Sequence, residues 1–409
     1  MTPPQLLTPF RGEHYADPGS LAARLAPPYD VIGPEQRAAL AAQSPANIVH
    51  LDLPRAPDGS DPYAAAATLL AAWRADGTLV RDASPTAYVL RTTAVLPDGV
   101  ERTRTGVFLA AHAEPFAARR VLPHEKTHAG PKEDRRRLMH ATGANLSSVF
   151  VLTPDTQGTL ASLLADECRR RPWARCAAIG ASHEVWLVDG EPAERLAREA
   201  SREPVYIADG HHRFETSVMF REECPPEWRA GAARTLAHVV SFQDPGLVIL
   251  PTHRIVPGAP LMSEFFLAAV ERYLVPVARA DATLTALFAG GEEVTLALRP
   301  DADLSAVPDM PDHPAVRELA VTIADLIAVR TVAASRTGKP PALGYTPDAA
   351  EARAAARDAR CAFAVLLPAT SLDQVRRVAD AGQVMPQKST FFAPKIPTGV
   401  VVRPFAGEV

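Results

Sequence analysis

The stretch YIADGHHRFE (206–215) joins an apolar, strand-like run to a helix-like run through a polar turn, DGHHR (209–213). A loop that leads from a strand into a helix presents unpaired backbone N–H groups and the positive end of the helix dipole to an anion. Gly210 lets the backbone turn and approach a ligand closely. The stretch therefore predicts a strand–turn–helix unit within a mixed α/β fold, with an anion site at the turn.

The polar side chains of this turn suit several kinds of chemistry. Arg213 can hold a phosphate or a carboxylate in a bidentate fork, and His211 or His212 can donate to a phosphoryl oxygen or move a proton near pH 7. Asp209 could orient a histidine, hold a magnesium ion or accept a proton from a hydroxyl group. Metal binding by the histidine pair is the weaker interpretation, because the HxxxH and CxxC spacings are missing. A polar turn with a helix cap is the structural alternative.

Lysine is rare in this chain and its positions are clustered. Only five of the 43 basic residues are lysines, and four of those five lie in HEKTHAGPK (124–132) and PQKSTFFAPK (386–395). A compact point charge on a flexible stem is not interchangeable with arginine, so such clusters indicate anion binding. The second stretch lacks the GxxxxGK[ST] frame of a P-loop, which argues against a Walker-type NTPase. Chance clustering is the alternative.

The first lysine stretch is a basic loop that suits the phosphates of a nucleotide or an anionic substrate. His124 and His128 stand four residues apart, the spacing of two metal ligands on one helix face, but the nearby prolines and glycine predict a loop. The predicted phosphate-binding residues outside the DGHHR turn are His124, Lys126, His128, Lys132, Lys388, Ser389, Thr390, Lys395, His253 and Arg254, the last two from PTHR (251–254) at a strand end.

Length and composition limit the class of protein. A chain of 409 residues predicts two domains, which we expect at 1–258 and 259–409, with the second returning the QKST and PK motifs to the site. The net charge of −4 gives no reason to expect nucleic acid as a partner. The absence of a signal-peptide pattern and of a long uncharged apolar run predicts a cytoplasmic protein without a membrane span.

Local patterns predict several elements. Residues 61–80 read as a helix that Asp61 caps and whose end Gly77 marks, and residues 87–96 and 100–113 read as a β-hairpin. The run PAVRELAVTIADLIAVRT (314–331) predicts one helix, and NIVHLDLP (47–54) predicts an extended stretch.

Seven motifs together resemble those of the DUF1015 family. They are APPYDVI (26–32), NIVHLDLP (47–54), LPHEKTHAGPKEDR (122–135), ANLSSVF (144–150), IADGHHRFETSV (207–218), LPTHRIV (250–256) and MPQKSTFFAPKIPTGVV (385–401). The sequence departs from the expected pattern at Phe214, where tyrosine is expected, and at Ala393, where an aromatic residue is expected. Neither departure removes a polar group.

The resemblance implies a ParB/sulfiredoxin-like nucleotide-binding core with an additional α/β C-terminal domain. It also extends to archaeal free-serine kinases, which carry a related D-G-H-x-R pattern. On that pattern Asp209, Gly210, His211 and Arg213 would correspond. Fold analogy does not fix the reaction.

These observations lead to a hypothesis of a nucleotide-dependent phosphotransferase acting on a small hydroxylated metabolite such as serine. Gly210, His212, Arg213, Lys126 and Lys388 would bind phosphate. Asp209 or Glu125 would be the base or the Mg²⁺ ligand, and His211 a proton or phosphoryl-oxygen partner. ATP or ADP and Mg²⁺ are implied by the reaction class.

Two alternatives from other classes stay open. One is a non-catalytic nucleotide or phosphometabolite sensor that uses the same cradle as a switch. The other is a metal-dependent hydrolase that uses His124, His128, His211 and His212.

Overall fold

The computed structural model describes residues 4–56, 59–127, 129–333 and 341–407. The chain forms two compact units. Unit 1 comprises Met1–Pro123, Thr127–Val248 and Pro394–Val409, and unit 2 comprises His124–Lys126 and Ile249–Ala393. Both units combine helices with sheets, so the fold is mixed α/β.

Unit 1 is built on a nine-stranded sheet with the order β6-β11-β8-β12-β5-β4-β10-β9, in which β1 pairs with the end of β5. The strands of unit 1 are β1 Leu7–Thr8, β2 Glu13–Tyr15, β3 Leu79–Arg81, β4 Thr86–Val95, β5 Glu101–His112, β6 Val121–Leu122, β7 Ala144–Asn145, β8 Val149–Thr153, β9 Ala174–Ala178, β10 Ala181–Asp189, β11 Val205–Asp209, β12 Arg234–Ser241 and β21 Arg403–Pro404. The pairs β2–β3 and β7–β21 form two further small sheets.

The helices of unit 1 are α1 Leu21–Arg24, α2 Pro34–Gln43, α3 Val49–Asp52, α4 Pro62–Ala75, α5 Ala129–Thr142, α6 Thr159–Glu167, α7 Gly190–Ala200, α8 His211–Glu223 and α9 Arg229–Ala232, with 3-10 turns at Pro18–Ser20, Tyr29–Val31, Phe116–Ala118 and Pro226–Trp228. One face of the large sheet packs its valine and isoleucine side chains against α6, α7 and the start of α8. Because strand side chains alternate between faces, the next residue along each strand points to the opposite face.

Two local predictions in unit 1 are confirmed and one is wrong. The Asp61 side chain accepts a hydrogen bond from the Tyr63 N–H at the start of α4, and β4 and β5 form the predicted hairpin. The stretch 47–54, predicted as extended, contains α3 instead. Asn47 explains the difference, because its side-chain oxygen accepts from the Val49 N–H and so starts a helical turn.

Unit 2 is built on a six-stranded sheet with the order β15-β17-β16-β19-β14-β18, beside the short pair β13–β20. Its strands are β13 Val248–Leu250, β14 His253–Val256, β15 Leu274–Pro276, β16 Leu284–Leu287, β17 Glu293–Leu298, β18 Gly344–Thr346, β19 Phe363–Leu366 and β20 Phe391–Ala393. The helical segments of unit 2 are α10 Ser263–Val270, α11 Pro314–Arg317, α12 Ala320–Ile323, a π-helix Ala324–Thr331, α13 Ala349–Arg357 and α14 Leu372–Asp380, with 3-10 turns at Arg279–Asp281, Ala289–Gly291 and Leu304–Ala306.

The single helix predicted over 314–331 is wrong in its continuity. Leu319 has an extended backbone, with ψ of 134°, which separates α11 from α12. The chain then continues into the π-helix. Such wide helical turns are rare in proteins, and those that occur often lie at functional sites. Among the described residues, no helix is both long and apolar enough to cross a bilayer.

Candidate functional site

The DGHHR turn joins β11 to α8 in unit 1. Asp209 is the last residue of β11, and Gly210 precedes α8 with a left-handed φ of 91°. A Cβ atom at Gly210 would lie 2.9 Å from the Cζ and Nε atoms of Arg213, so a larger residue would be strained and would also displace the guanidinium group. Glycine thus lets the arginine fold back over the turn.

Two cations share the carboxylate of Asp209. Lys395 Nζ lies 2.8 Å from Asp209 Oδ2, and Arg213 Nη2 lies 3.5 Å from Oδ1. Burial alone would raise the pKa of the Asp209 carboxyl group, but the charges of Lys395 and Arg213 hold it well below its usual range. Asp209 is therefore a fixed anion that positions two cations at the start of a helix.

Other groups also contact the Arg213 guanidinium group or act on it through their charge. Its Nη1 donates a hydrogen bond to the carbonyl oxygen of Ser148, and its Cζ lies 6.0 Å from the centre of the Tyr29 ring. Burial lowers the pKa of Arg213, but the negative charges of Asp209 and Asp30 outweigh that effect. Asp30 is exposed, so it is a solvent-facing carboxylate within electrostatic reach of the guanidinium group.

A second arginine extends this arrangement. The Arg135 guanidinium lies 3.9 Å from the centre of the Tyr29 ring and donates a hydrogen bond of 2.9 Å to Asp52 Oδ1. Burial raises the pKa of Asp52, and the charges of Arg135 and Arg213 oppose this only in part. Within the described ranges, the other carboxylate oxygen of Asp52 is buried without a hydrogen-bond partner.

A small cavity of about 30 Å³ lies next to these groups, lined by Asp52, Arg135 and Arg213 among others. That volume is enough for a water molecule and far too small for a nucleotide. The cavity therefore belongs to the support of Arg213 rather than to a ligand pocket.

The sequence reasoning assigned no role to Tyr29, Asp30, Asp52 or Arg135. Tyr29, Asp30 and Asp52 lie in the motifs APPYDVI and NIVHLDLP, and Arg135 ends LPHEKTHAGPKEDR. The signal was thus present as polar residues inside otherwise apolar or turn-rich motifs. No local rule connects these residues to the DGHHR turn, because each lies more than 70 positions away from it.

The other predicted residues of unit 1 have different surroundings. His211 is buried, and its charge also acts on Asp209; His212 is half-buried in the first turn of α8. Lys132 Nζ lies 2.9 Å from Glu215 Oε2, and Glu215 also accepts from the hydroxyl group of Thr127. Lys132 therefore ties α5 to α8. His128 lies outside the described residues.

Unit 2 contains the remaining predicted residues. His124 is buried, with Nε2 3.0 Å from the Thr390 hydroxyl oxygen, and its carbonyl oxygen accepts from the Met385 N–H. Glu125 is half-buried and forms a β-bridge with Met385, whereas Lys126 is exposed.

The loop that carries Lys388 has a fixed shape. Lys388 is exposed and adopts a left-handed φ of 55°, which is unusual for a residue with a side chain. The Ser389 hydroxyl group donates to the Pro386 carbonyl oxygen at 2.6 Å, and the Ser389 carbonyl oxygen accepts from the Thr370 hydroxyl group. These bonds hold the Lys388 side chain at the surface.

Arg254 is fully buried in unit 2, and protein groups use its donors. It contacts both carboxylate oxygens of Asp325 at 2.8 and 3.1 Å and donates to the carbonyl oxygens of Thr252 and Lys388. His253 Nδ1 accepts from the Leu367 N–H, and burial with the charges of Arg353 and Arg254 lowers the pKa of His253 to about 4. Arg254 and His253 thus make their hydrogen bonds to other groups of unit 2, as residues that support the fold do.

Metal binding requires several donor side chains in one place. In the part of the chain that the structure describes, no three His, Cys, Asp or Glu side chains lie close enough together to hold a metal ion. Both oxygens of Asp209 contact cations instead. The four-histidine site includes His128, so that hypothesis stays a prediction.

A model of the family "Protein of unknown function (DUF1015)" matches residues 7–322. A search of curated proteins found no match. Solved structures that are similar include a conserved hypothetical protein from Pyrococcus furiosus, with 12% identity, a TM-score of 0.37, and coverage of 73% of this chain and 95% of that one.

A free serine kinase in complex with AMP shares 12% identity with a TM-score of 0.37, over 72% of this chain and 92% of its own. SbnI from Staphylococcus aureus, with a C-terminal truncation, shares 11% identity with a TM-score of 0.36, over 72% and 81%. These structural similarities are too weak to carry an argument about function. None of them tests the ParB/sulfiredoxin-like core, which stays a prediction.

Proposed function

This chain belongs to the DUF1015 family, and we propose that it is a nucleotide-dependent phosphotransferase that acts on a hydroxyl group of a small metabolite, such as serine or a related amino acid. The observation that carries the proposal is the pair of cations, Lys395 and Arg213, held by one carboxylate where β11 turns into α8. Together with the N–H groups of the first helical turn, these cations suit the phosphates of ATP or ADP.

Each residue of the turn has a role in this proposal. Lys395 and Arg213 bind phosphate oxygens, Gly210 allows the backbone to approach them, and His211 and His212 donate to phosphoryl oxygens. Asp209 positions the two cations, because a carboxylate with a strongly lowered pKa is a poor proton acceptor at neutral pH.

Asp30 is the proposed proton acceptor for the attacking hydroxyl group. Phosphoryl transfer requires charge neutralisation and an aligned hydroxyl group more than covalent chemistry from the protein. Asp30 is exposed and acts electrostatically on Arg213, so it can face a substrate beside the phosphates. Glu125, Lys126 and Lys388 belong to unit 2, and their predicted roles as a base and as phosphate ligands stay predictions.

Among the described residues, no group of three His, Cys, Asp or Glu side chains could hold Mg²⁺ by itself. Magnesium commonly binds through nucleotide phosphates and one or two carboxylates.

A thermal-shift screen of ATP, ADP, CTP and pyrophosphate, with and without Mg²⁺, tests the binding half of the proposal. Ligands that bind the native state raise its melting temperature by mass action. We expect Arg213→Met to lose the shift and Arg221→Met to keep it. Arg221 is the matched control, since it lies near the far end of the same helix and donates to the Ala113 carbonyl oxygen. No shift with any nucleotide in folded protein would contradict the proposal.

Product analysis with hydroxylated amino acids tests the catalytic half. We expect Asp30→Asn to keep the nucleotide shift and to lower turnover about 100-fold or more, the usual contribution of a general base. Equal turnover in wild type and Asp30→Asn would remove Asp30 from the mechanism.

A nucleotide or phosphometabolite sensor is the second candidate. The double ion pair on Asp209 favours it, because a carboxylate held in this way serves binding rather than proton transfer. A nucleotide shift in the wild type without phosphorylated product, over the whole acceptor panel, would support the sensor.

A further inference from the structure

A second group of cationic and aromatic side chains lies on the face of the large sheet opposite the α6–α7 core. Arg104 on β5 and His238 on β12 are 2% and 1% exposed. Phe108 and Phe150 pair with His238 across β5 and β8, so the three rings share one face of the sheet. None of these residues takes part in the proposed phosphotransferase site.

Among the described residues, four polar atoms of this group have no hydrogen-bond partner in the protein. Within the described residues, Nη1 and Nη2 of Arg104 and both ring nitrogens of His238 are buried without a hydrogen bond. Leaving such groups unpaired is costly, and a buried charge without a counter-charge is the most costly case. A missing partner is therefore expected at this position.

The carboxylate of Asp244 does not supply that hydrogen-bond partner. Asp244 acts on Arg104 only through its charge, since its two oxygens accept from the Thr105 and Gly246 N–H groups at 2.9 and 2.8 Å. Burial raises the pKa of Asp244, and burial lowers the pKa of Arg104 to about 10. Each of these two pKa shifts disfavours the charged form of its group, so the two opposite charges stabilise each other only weakly.

The surroundings select the class of partner. Burial and the charge of Arg104 keep the pKa of His238 well below its usual value, so His238 is neutral and offers one N–H donor. Its ring meets Phe108 and Phe150 edge-on, with centroids at 4.5 and 5.9 Å. One guanidinium charge with aromatic walls suits a small monovalent anion, because a divalent anion would leave an unpaired charge.

We propose that Arg104 and His238 form an internal binding site for a small monovalent anion of the halide or nitrate class. The anion accepts hydrogen bonds from the two terminal guanidinium nitrogens and from one ring nitrogen of His238. Because both residues are almost fully buried, the anion is taken up during folding and stabilises the native sheet rather than exchanging rapidly with solvent.

The test compares protein that is unfolded and refolded in sodium gluconate, whose anion is too bulky for the site, with protein refolded in chloride, bromide or nitrate at constant ionic strength. We expect the melting temperature to rise by about 5 °C between 1 and 100 mM of the small anion. Melting temperatures that are the same in gluconate and in chloride would overturn the proposal.

Variants separate this site from general salt effects. Arg104→Met should abolish the anion dependence and be at least as stable as wild type in gluconate, since it removes an uncompensated buried charge. Arg403→Met is the matched control. Arg403 is equally buried, but it donates to the carbonyl oxygens of Arg234 and Gly231, so its variant should keep the full anion dependence.

If Arg104→Met does not fold, a second variant and a direct measurement still test the anion site. His238→Phe keeps a ring of similar shape and should reduce the anion dependence by roughly half. In crystals grown in bromide, an anomalous peak within hydrogen-bonding distance of the Arg104 guanidinium group is expected. A water molecule there, with no anomalous signal, would contradict the assignment.

Discussion

Two buried arginines, each facing a carboxylate, show how similar sequence motifs can serve different ends. In unit 1, Arg213 lies 3.5 Å from Asp209, which is also paired with Lys395, so two cations meet one carboxylate. In unit 2, Arg254 meets Asp325 in a close bidentate pair of 2.8 and 3.1 Å. In the first arrangement the carboxylates of Asp30 and Asp52 also act on Arg213 through their charges, whereas the second is a direct pair of one cation and one anion.

Accessibility separates the two arginines as well. The Arg213 side chain is 9% exposed and its neighbour Lys395 is 19% exposed, whereas the Arg254 side chain is 0% exposed. Arg254 also supports the loop of Lys388 through the carbonyl oxygen of that residue. The exposure of Lys395 is thus compatible with the binding role proposed for it, whereas Arg254 contacts groups of unit 2.

The largest effect is expected from Arg254→Met. Removing the fully buried cation leaves the half-buried Asp325 without its partner, which should lower the free energy of unfolding by about 3–5 kcal/mol. Denaturant titration measures this loss. Arg353→Met is the matched control in unit 2, because Arg353 pairs with Glu293 at the surface and such pairs contribute at most about 1 kcal/mol.

The opposite outcome would reverse the comparison. If Arg254→Met unfolds at the same denaturant concentration as the wild type but no longer responds to nucleotide, Arg254 is a ligand residue. It would then serve phosphate binding, as the sequence first predicted.

The next effect concerns ligand binding in unit 1. Lys395→Met removes one of the two cations on Asp209 and should weaken pyrophosphate binding by about 2 kcal/mol, or roughly 30-fold, the usual size of a lost charged hydrogen bond. Isothermal titration calorimetry measures the change. An unchanged affinity would limit Lys395 to holding Asp209.

Local sequence rules predicted much of the fold, since they depend on near neighbours. The cap of Asp61 and the β4–β5 hairpin are set within a few residues, and the structure has both. The rules failed where one side chain overrode the pattern, as Asn47 did in α3. They also failed at Leu319, whose extended backbone breaks the helix predicted there.

The site was predictable only in part. The DGHHR turn is a local feature, so its strand, glycine and helix could be read from ten residues. The contact of Lys395 with Asp209 joins positions 186 apart, and Asp52 reaches Arg135 across 83 positions. No periodicity carries such information, so the distinct surroundings of Arg213 and Arg254 needed the structure.

A pH titration of stability tests the structural role of His253, the residue that precedes Arg254 in unit 2. The pKa of His253 is about 4 in the folded chain and about 6.5 when unfolded, so the unfolded state takes up a proton between these values. The stability that neutral His253 contributes is thus present above pH 6.5 and is lost as the pH falls toward 4. Denaturant titrations across this range should show a shallower fall for His253→Asn, whose side-chain oxygen can still accept from the Leu367 N–H.

His313→Asn is the matched control for that titration. The Nδ1 atom of His313 also accepts a backbone hydrogen bond, from the Ala315 N–H, but at a less buried position in the same unit. If both variants flatten the curve equally, the pH dependence does not come from the surroundings of His253.

The smallest effect is expected at Lys388, the strained residue of the loop that Arg254 supports. A left-handed backbone costs a residue with a Cβ about 1–2 kcal/mol, and glycine avoids that cost but gains about 0.4–1 kcal/mol of freedom in the unfolded chain. Lys388→Gly should therefore be more stable than Lys388→Ala by about 0.5 kcal/mol, as measured by denaturant titration of both. Because both variants lack the ammonium group, equal loss of nucleotide binding in the two would show that the charge matters, while the difference in stability isolates the strain. If alanine is as stable as glycine, the backbone of Lys388 is relaxed, and the loop does not hold that lysine in place at an energetic cost.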